Sequence, residues 1–304
     1  MHKSSIAVTS KTLSNQEGFV KWLKKNFKKV KLNQDDSLVD EKLINFLSDV
    51  DYVVLGTEPF HKDIIKSTPN LKAVFKYGVG IDNVDFFTAG KRNLPVYFRK
   101  GTNSNAVAEI AVSYIIQLLR NQHVSFASAK RGEWNKQKGK ELSDSVVGII
   151  GLGHVGSVLL NKLRGLLPKD ILLNDKNGYV GQGTADFEDL MRNSDVISIH
   201  IDNEDRMNTN FFNDERLSLL KDGAYIVNTA RGSIMDYDAL EKHLPRLGGV
   251  ALDVYPHEPN IPEYLMNSDK VILSCHICGS SERGLANGEE FIKDSIIRHT
   301  GETT

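Results

Sequence analysis

Three glycines in the run Gly151-Leu152-Gly153-His154-Val155-Gly156 have the spacing by which a backbone turns around a phosphate. Alone, a G-x-G-x-x-G says little. Here the apolar run Val146–Ile150 precedes it and a helical pattern, Leu159–Leu167, follows. Asp175 closes the next apolar run, Ile171–Asn174. Each part has a task. Gly151 makes the tight turn, Gly153 admits a pyrophosphate to the backbone, and Gly156 lets the helix pack on the strand. The helix N-terminus, with His154 and Val155 in its first turn, then faces the phosphate charge. Asp175 can accept both ribose hydroxyls of an adenosine and would repel a 2′-phosphate. The pattern predicts NAD rather than NADP, with Lys176 partly offsetting the acid.

The chain of 304 residues is long enough for two domains. A formal net charge of -1 gives no electrostatic reason to expect nucleic acid or an anionic membrane as partner. Apolar runs are strand-sized, well short of the ~20 residues of a membrane span. The N-terminal run shows no apolar core of signal-peptide length, and two cysteines make no disulfide framework, so the cytoplasm is the expected compartment. Ile6–Val8, Tyr52–Leu55 and Leu71–Phe75 read as strands, and Asn15–Val30 as one amphipathic helix on the spacing of Phe19, Trp22, Leu23, Phe27 and Val30. The Lys21–Lys31 lysines read as its solvated face. Pro59–Ser67 looks helical, and Asn103–Arg120 reads as one long helix. Beyond the glycine triplet, Val196–His200, Ala224–Asn228, Gly249–Asp253 and Val271–Ser274 are further strands, mostly separated by helical stretches, as in a doubly wound sheet.

Several longer runs carry a resemblance. They are Lys76-Tyr77-Gly78-Val79-Gly80-Ile81-Asp82-Asn83-Val84-Asp85, Asn103-Ser104-Asn105-Ala106-Val107-Ala108-Glu109, Asn228-Thr229-Ala230-Arg231-Gly232, Ala251 through Pro259, and Ser274-Cys275-His276-Ile277-Cys278-Gly279. In this order the chain resembles the D-isomer-specific 2-hydroxyacid dehydrogenases from about Val53 to Gly279. That family includes phosphoglycerate, D-lactate and formate dehydrogenases and glyoxylate/hydroxypyruvate reductases. The resemblance implies an α/β protein of two doubly wound parallel-sheet domains. A Rossmann NAD domain (102–282) is inserted into a flavodoxin-like substrate domain (1–101 and 283–304). It also implies a homodimer formed through the NAD domain and a small 2-keto or 2-hydroxy acid as substrate.

The same resemblance assigns roles. Reducing a 2-keto acid needs a hydride and a proton on the ketone oxygen. His276 is expected to be the general acid, Glu258 to orient it and raise its pKa, and Arg231 to bind the keto oxygen and carboxylate. The Gly78, Val79 and Gly80 amides are suited to the substrate carboxylate. Thr229, Ala230, Asp253, His276 and Gly279 are expected beside the cofactor, Asp253 at the nicotinamide carboxamide. The leading specific reading is phosphoglycerate dehydrogenase-like, on Val54-Leu55-Gly56-Thr57-Glu58-Pro59 and Asn103–Glu109, although an arginine found near Gly56 in some such enzymes is absent. Glyoxylate/hydroxypyruvate reduction is the alternative. A non-catalytic, NAD-sensing corepressor-like protein would lack Arg231, Glu258 or His276, and none is missing.

Departures from the family pattern bear on the substrate. Phe98-Arg99-Lys100 stands where Asn-Thr-Pro is common, Asp202 follows Ile201 in place of proline, and Cys275 precedes His276 in place of proline. Arg99 and Lys100 read either as solvated loop cations or as a pair favouring a second anionic group on the substrate. Cys275 and Cys278 form a C-x-x-C around His276. Further ligands at metal-site spacing are not evident, so the pair reads as small apolar residues at a strand end and no metal is expected.

Overall fold

The computed structural model describes residues 2–34, 38–179, 181–204 and 206–301. The chain forms two compact units, Met1–Asn103 with Glu282–Thr304, and Ser104–Ser281 between them.

The discontinuous unit holds five parallel strands: β1 (His2–Val8), β2 (Phe27–Leu32), β3 (Tyr52–Leu55), β4 (Ala73–Lys76) and β5 (Val96–Tyr97), in the order β2-β1-β3-β4-β5. Strands β3 and β4 are buried throughout, as the Val-rich runs of a sheet covered on both faces should be. One face packs Leu43, Leu47, Ile64 and Ile65 against Val53 and Val74. The other packs Phe19 and Leu23, with Ile292 and Ile296 of the helix Glu282–Thr300, against Val54 and Phe75. His299 of that helix lies edge-on to Tyr52 and Phe75, and its Nδ1 is 3.0 Å from the Tyr97 hydroxyl.

The expected helix Asn15–Val30 is shorter than its apolar spacing suggested. It covers Glu17–Asn26, and Phe27 turns extended to begin β2. Asn26 Nδ2 donates to Trp22 O (2.8 Å) at the helix end. Phe27 and Val30 continue the helical spacing by coincidence. The alternation of β2 instead sets Lys29 and Lys31 on one face, where both reach Asp49 and hold its carboxyl down at about 2. Lysines on this edge strand also deter pairing with another sheet.

The inserted unit holds six parallel strands: β6 (Val146–Ile150), β7 (Asp170–Asn174), β8 (Val196–Ile199), β9 (Tyr225–Asn228), β10 (Gly249–Leu252) and β11 (Val271–Leu273), in the order β11-β10-β9-β8-β6-β7. The order reverses between β6 and β8, the point at which a doubly wound sheet opens a crevice beyond its carboxyl ends. The helix Ser104–Leu119 buries Ala108, Ala111, Ile115 and Leu118 against one face, together with Leu159 and Leu163 of the helix His154–Leu166. Its spacing of small and branched residues explains the close approach of these helices. Among the described residues no helix is long and apolar enough to cross a membrane.

Candidate active site

The glycine turn after β6 is built by exclusion of side chains. Gly151 has φ +93°, and a Cβ there would lie 2.6 Å from His200 O at the end of β8. A Cβ on Gly156 would lie 1.9 Å from Gly151 O, so only glycine lets the helix His154–Leu166 start this close to the strand. Gly153 has open space where a side chain would be, and as N-cap it offers no side-chain hydrogen bond. The first helical amides, with His154 and Val155 in that turn, are thus left for an anion. Asp175 follows β7, and its carboxylate accepts from Leu152 N (2.7 Å) and Asn177 N (2.8 Å), which fixes it beside the turn. His200 Nε2 is 2.8 Å from Ser198 Oγ, and burial pushes its pKa down to about 4, so the ring adds no charge there at neutral pH.

The next strand ends carry Arg231, Glu258 and His276. Asn228 templates the turn after β9: its Oδ1 accepts from Ala230 N (3.0 Å) and its Nδ2 donates to Arg231 O (3.0 Å). Arg231 Nη1 in turn donates to Ala230 O (2.7 Å). A Cβ on Gly232 would lie 2.0 Å from Tyr255 C and O, so the lack of a side chain brings the Arg231 turn onto the segment leading to Glu258. Thr229, at this turn, has a buried hydroxyl with no hydrogen-bond partner among the described residues. Such an atom costs free energy unless a ligand satisfies it.

His276 sits in left-handed backbone, φ +51°. Its Nδ1 is 2.7 Å from Glu258 Oε2, and Tyr255 N donates to Glu258 Oε1 (3.1 Å). The Glu258 hydrogen bond raises the His276 pKa above the ordinary histidine value, against burial and the nearby Arg231 charge, which lower it. Burial works against the Glu258 charge, but the bonds from His276 and Tyr255 outweigh it and hold that carboxyl below its usual range. With Nδ1 engaged, Nε2 makes no protein hydrogen bond among the described residues.

Asp253, expected at the nicotinamide carboxamide, is 1% exposed. Its oxygens accept from Ser274 Oγ, Ile277 N (2.8 Å) and Cys278 N (2.9 Å), and its backbone O accepts from His276 N (2.9 Å). It holds the His276 turn, in which Gly279 follows and Gly279 O accepts from Ser281 N (3.1 Å). Sequence reasoning missed the rest of this brace: Tyr114 OH on Ser274 Oγ (2.5 Å) and Tyr255 OH on Ser274 O (2.8 Å). No local pattern announces a tyrosine far off in the sequence. Cys278 is buried in the core and burial pushes its thiol up, while Cys275 is exposed.

In the discontinuous unit, Gly78, Val79 and Gly80 follow β4, with Gly78 at φ +92°. Their amides make no hydrogen bond among the described residues. Lys76, just before them, is 3% exposed and its Nζ donates to Tyr77 O (2.7 Å).

Residues 112–278 match the family described as D-isomer specific 2-hydroxyacid dehydrogenase, NAD binding domain, and this is more than half of the chain. The chain belongs to the D-isomer specific 2-hydroxyacid dehydrogenase family. It is an NAD-dependent oxidoreductase of the CH–OH group of 2-hydroxy acids. Among its relatives, the glyoxylate reductase of Thermococcus litoralis is 29% identical over 84% of this chain and 82% of its own length. The D-3-phosphoglycerate dehydrogenase of Haemophilus influenzae is 33% identical over 83% of this chain, which spans only 64% of that protein. The NAD complex of a formate dehydrogenase from Staphylococcus aureus superposes with a TM-score of 0.82 at 26% identity, covering 97% of this dehydrogenase and 95% of that chain. The open Gly153, the uncapped helix start and the orphaned Thr229 hydroxyl of the Ser104–Ser281 unit fit a bound dinucleotide.

Proposed function

We propose that this dehydrogenase interconverts a small 2-keto acid and its 2-hydroxy acid, with His276, Glu258 and Arg231 as the reacting set. The observation that carries the reading is the 2.7 Å His276–Glu258 bond beside the Arg231 turn. NAD, when bound, supplies the hydride chemistry. Gly151, Gly153, His154, Val155, Gly156 and Asp175 hold its adenosine and phosphates, and Thr229, Ala230 and Gly279 its other half. His276 Nε2 gives a proton to the ketone oxygen in reduction and takes it back in oxidation. Glu258 fixes the donor tautomer at Nδ1 and favours the imidazolium. Asp253 keeps the His276 turn in place. Arg231 binds the keto oxygen and steadies the negative charge that gathers there. The amides of Gly78, Val79 and Gly80 take the substrate carboxylate, which makes the discontinuous unit the substrate domain.

The inserted unit also presents an exposed apolar face. Trp134 is 89% exposed and Phe126 54%, and Ile116 and Trp134 line a groove of about 700 Å³. Exposed apolar side chains at a groove mark an interaction site, and a second copy of this chain is the proposed occupant. Two free cysteines and the use of NAD favour the cytoplasm.

His276→Asn tests the reaction. It should lower kcat by roughly 10²–10⁴ and leave NADH affinity, read by fluorescence, nearly intact, because the ring handles the proton and not the dinucleotide. Near-normal turnover in this variant would end the assignment.

A further inference from the structure

The β2-β1-β3-β4-β5 sheet reverses its order between β1 and β3. A ligand crevice in such a sheet opens beyond the carboxyl ends of those two strands. Thr9 and Ser10 stand there after β1, and Gly56, Thr57 and Glu58 after β3. The Glu58 side chain spans the gap. Its Oε2 accepts from the Thr9 hydroxyl and from Gly56 N (3.0 Å), and Gly56 N also reaches Thr9 Oγ1 (2.9 Å). Thr9 is wholly buried. Glu58 Oε1 makes no hydrogen bond among the described residues. Gly56 itself brings no side chain into the crevice, and a Cβ there would lie 3.0 Å from Glu58 Oε2 and 3.1 Å from Ser10 Cα.

This carboxylate is tied to the loop that offers its amides after β4. Asn83 Nδ2 donates to Gly56 O (3.1 Å) and to Glu58 O (2.6 Å), and Phe60 N donates to Asn83 O (2.6 Å). Strands β3 and β4 are neighbours, so their ends lie about 4.8 Å apart. A 2-keto acid whose carboxylate rests on Gly78–Gly80 has its third carbon two bonds from the carboxylate carbon, on the scale of that one-strand step. Arg99 and Lys100 follow β5, two strands from β3.

We propose that Glu58 determines substrate specificity: it accepts a hydrogen bond from a hydroxyl on carbon 3 of the 2-keto acid and rejects a phosphate there. The proposal rests on the 2-keto acid reading of the site. A hydroxyl can donate to Oε1. A phosphate monoester near neutral pH carries a charge of about −1.5 to −2, has few protons to offer, and would be repelled by the Glu58 carboxylate. The phosphoglycerate-like reading is therefore narrowed to non-phosphorylated acids.

The test is kcat/KM with NADH for pyruvate, hydroxypyruvate and 3-phosphohydroxypyruvate, on the full chain and on Glu58→Gln and Glu58→Asp. The wild type should prefer hydroxypyruvate over its phosphorylated form by at least 100-fold. Glu58→Gln, which keeps an acceptor for Thr9 and Gly56 but loses the charge, should narrow that ratio at least tenfold. Glu58→Asp should retain most of it. A folding defect lowers all three substrates together and leaves the ratios alone. A wild type that uses the phosphorylated acid as readily, or a ratio unmoved in Glu58→Gln, overturns this proposal alone. Reduction of none of the three overturns the reaction assignment and this proposal with it.

Discussion

An imidazole held by a carboxylate titrates differently from a free one, and that difference can be read in both directions of catalysis. The Glu258 hydrogen bond raises the His276 pKa. Ketone reduction needs the protonated ring, so its rate should be full below the raised pKa and fall as pH rises through it. Alcohol oxidation needs the neutral ring and should fall as pH drops below the same value. Glu258→Gln keeps size and hydrogen bonding but removes the charge, so both limbs should move to lower pH, measured as kcat/KM against pH in each direction. Limbs that stay in place would mean that the pair is merely structural. The trio could be proposed from sequence on the short runs around each residue. The hydrogen bonds of Asp253, Tyr114 and Tyr255 could not, because they join residues brought together only by the sheet. Glu58 stood in a quoted run, but its place across a strand reversal needs the strand order.

The elements were legible in proportion to how local their signals are. Strands β6 to β11 are short apolar runs between helical stretches, and their expected and observed bounds differ by no more than a residue at either end. Strand β2 was absorbed into a helix because Phe27 and Val30 satisfy both periods, and β5 went unseen because two residues carry no periodicity. The glycine triplet was read from spacing, whereas Gly232 needed coordinates: its neighbour Tyr255 comes from the next strand's loop. Gly232→Ala should push these two loops apart. A destabilisation of about 1–3 kcal/mol in urea unfolding is expected, with a fall in kcat/KM as Arg231 leaves the Glu258 segment. Unchanged stability and activity would show that the contact yields freely.

At the scale of the molecule, the proposed pairing of two copies makes a direct prediction. Trp134→Glu should leave the helix content and NADH binding of the Ser104–Ser281 unit in place while shifting sedimentation from dimer to monomer. A wild type that sediments as a monomer at micromolar concentration would remove the proposal. The discontinuity of the other unit has a consequence during synthesis. Its β1–β5 sheet is complete by Tyr97, but Ile292 and Ile296, which cover Val54 and Phe75, belong to a helix translated after the whole inserted unit. At about 5–20 residues per second, the ribosome leaves that apolar face waiting roughly ten to forty seconds. The nascent chain therefore finishes its second unit before its first, and until then Phe19 and Leu23 shield this face of the sheet without Ile292 and Ile296.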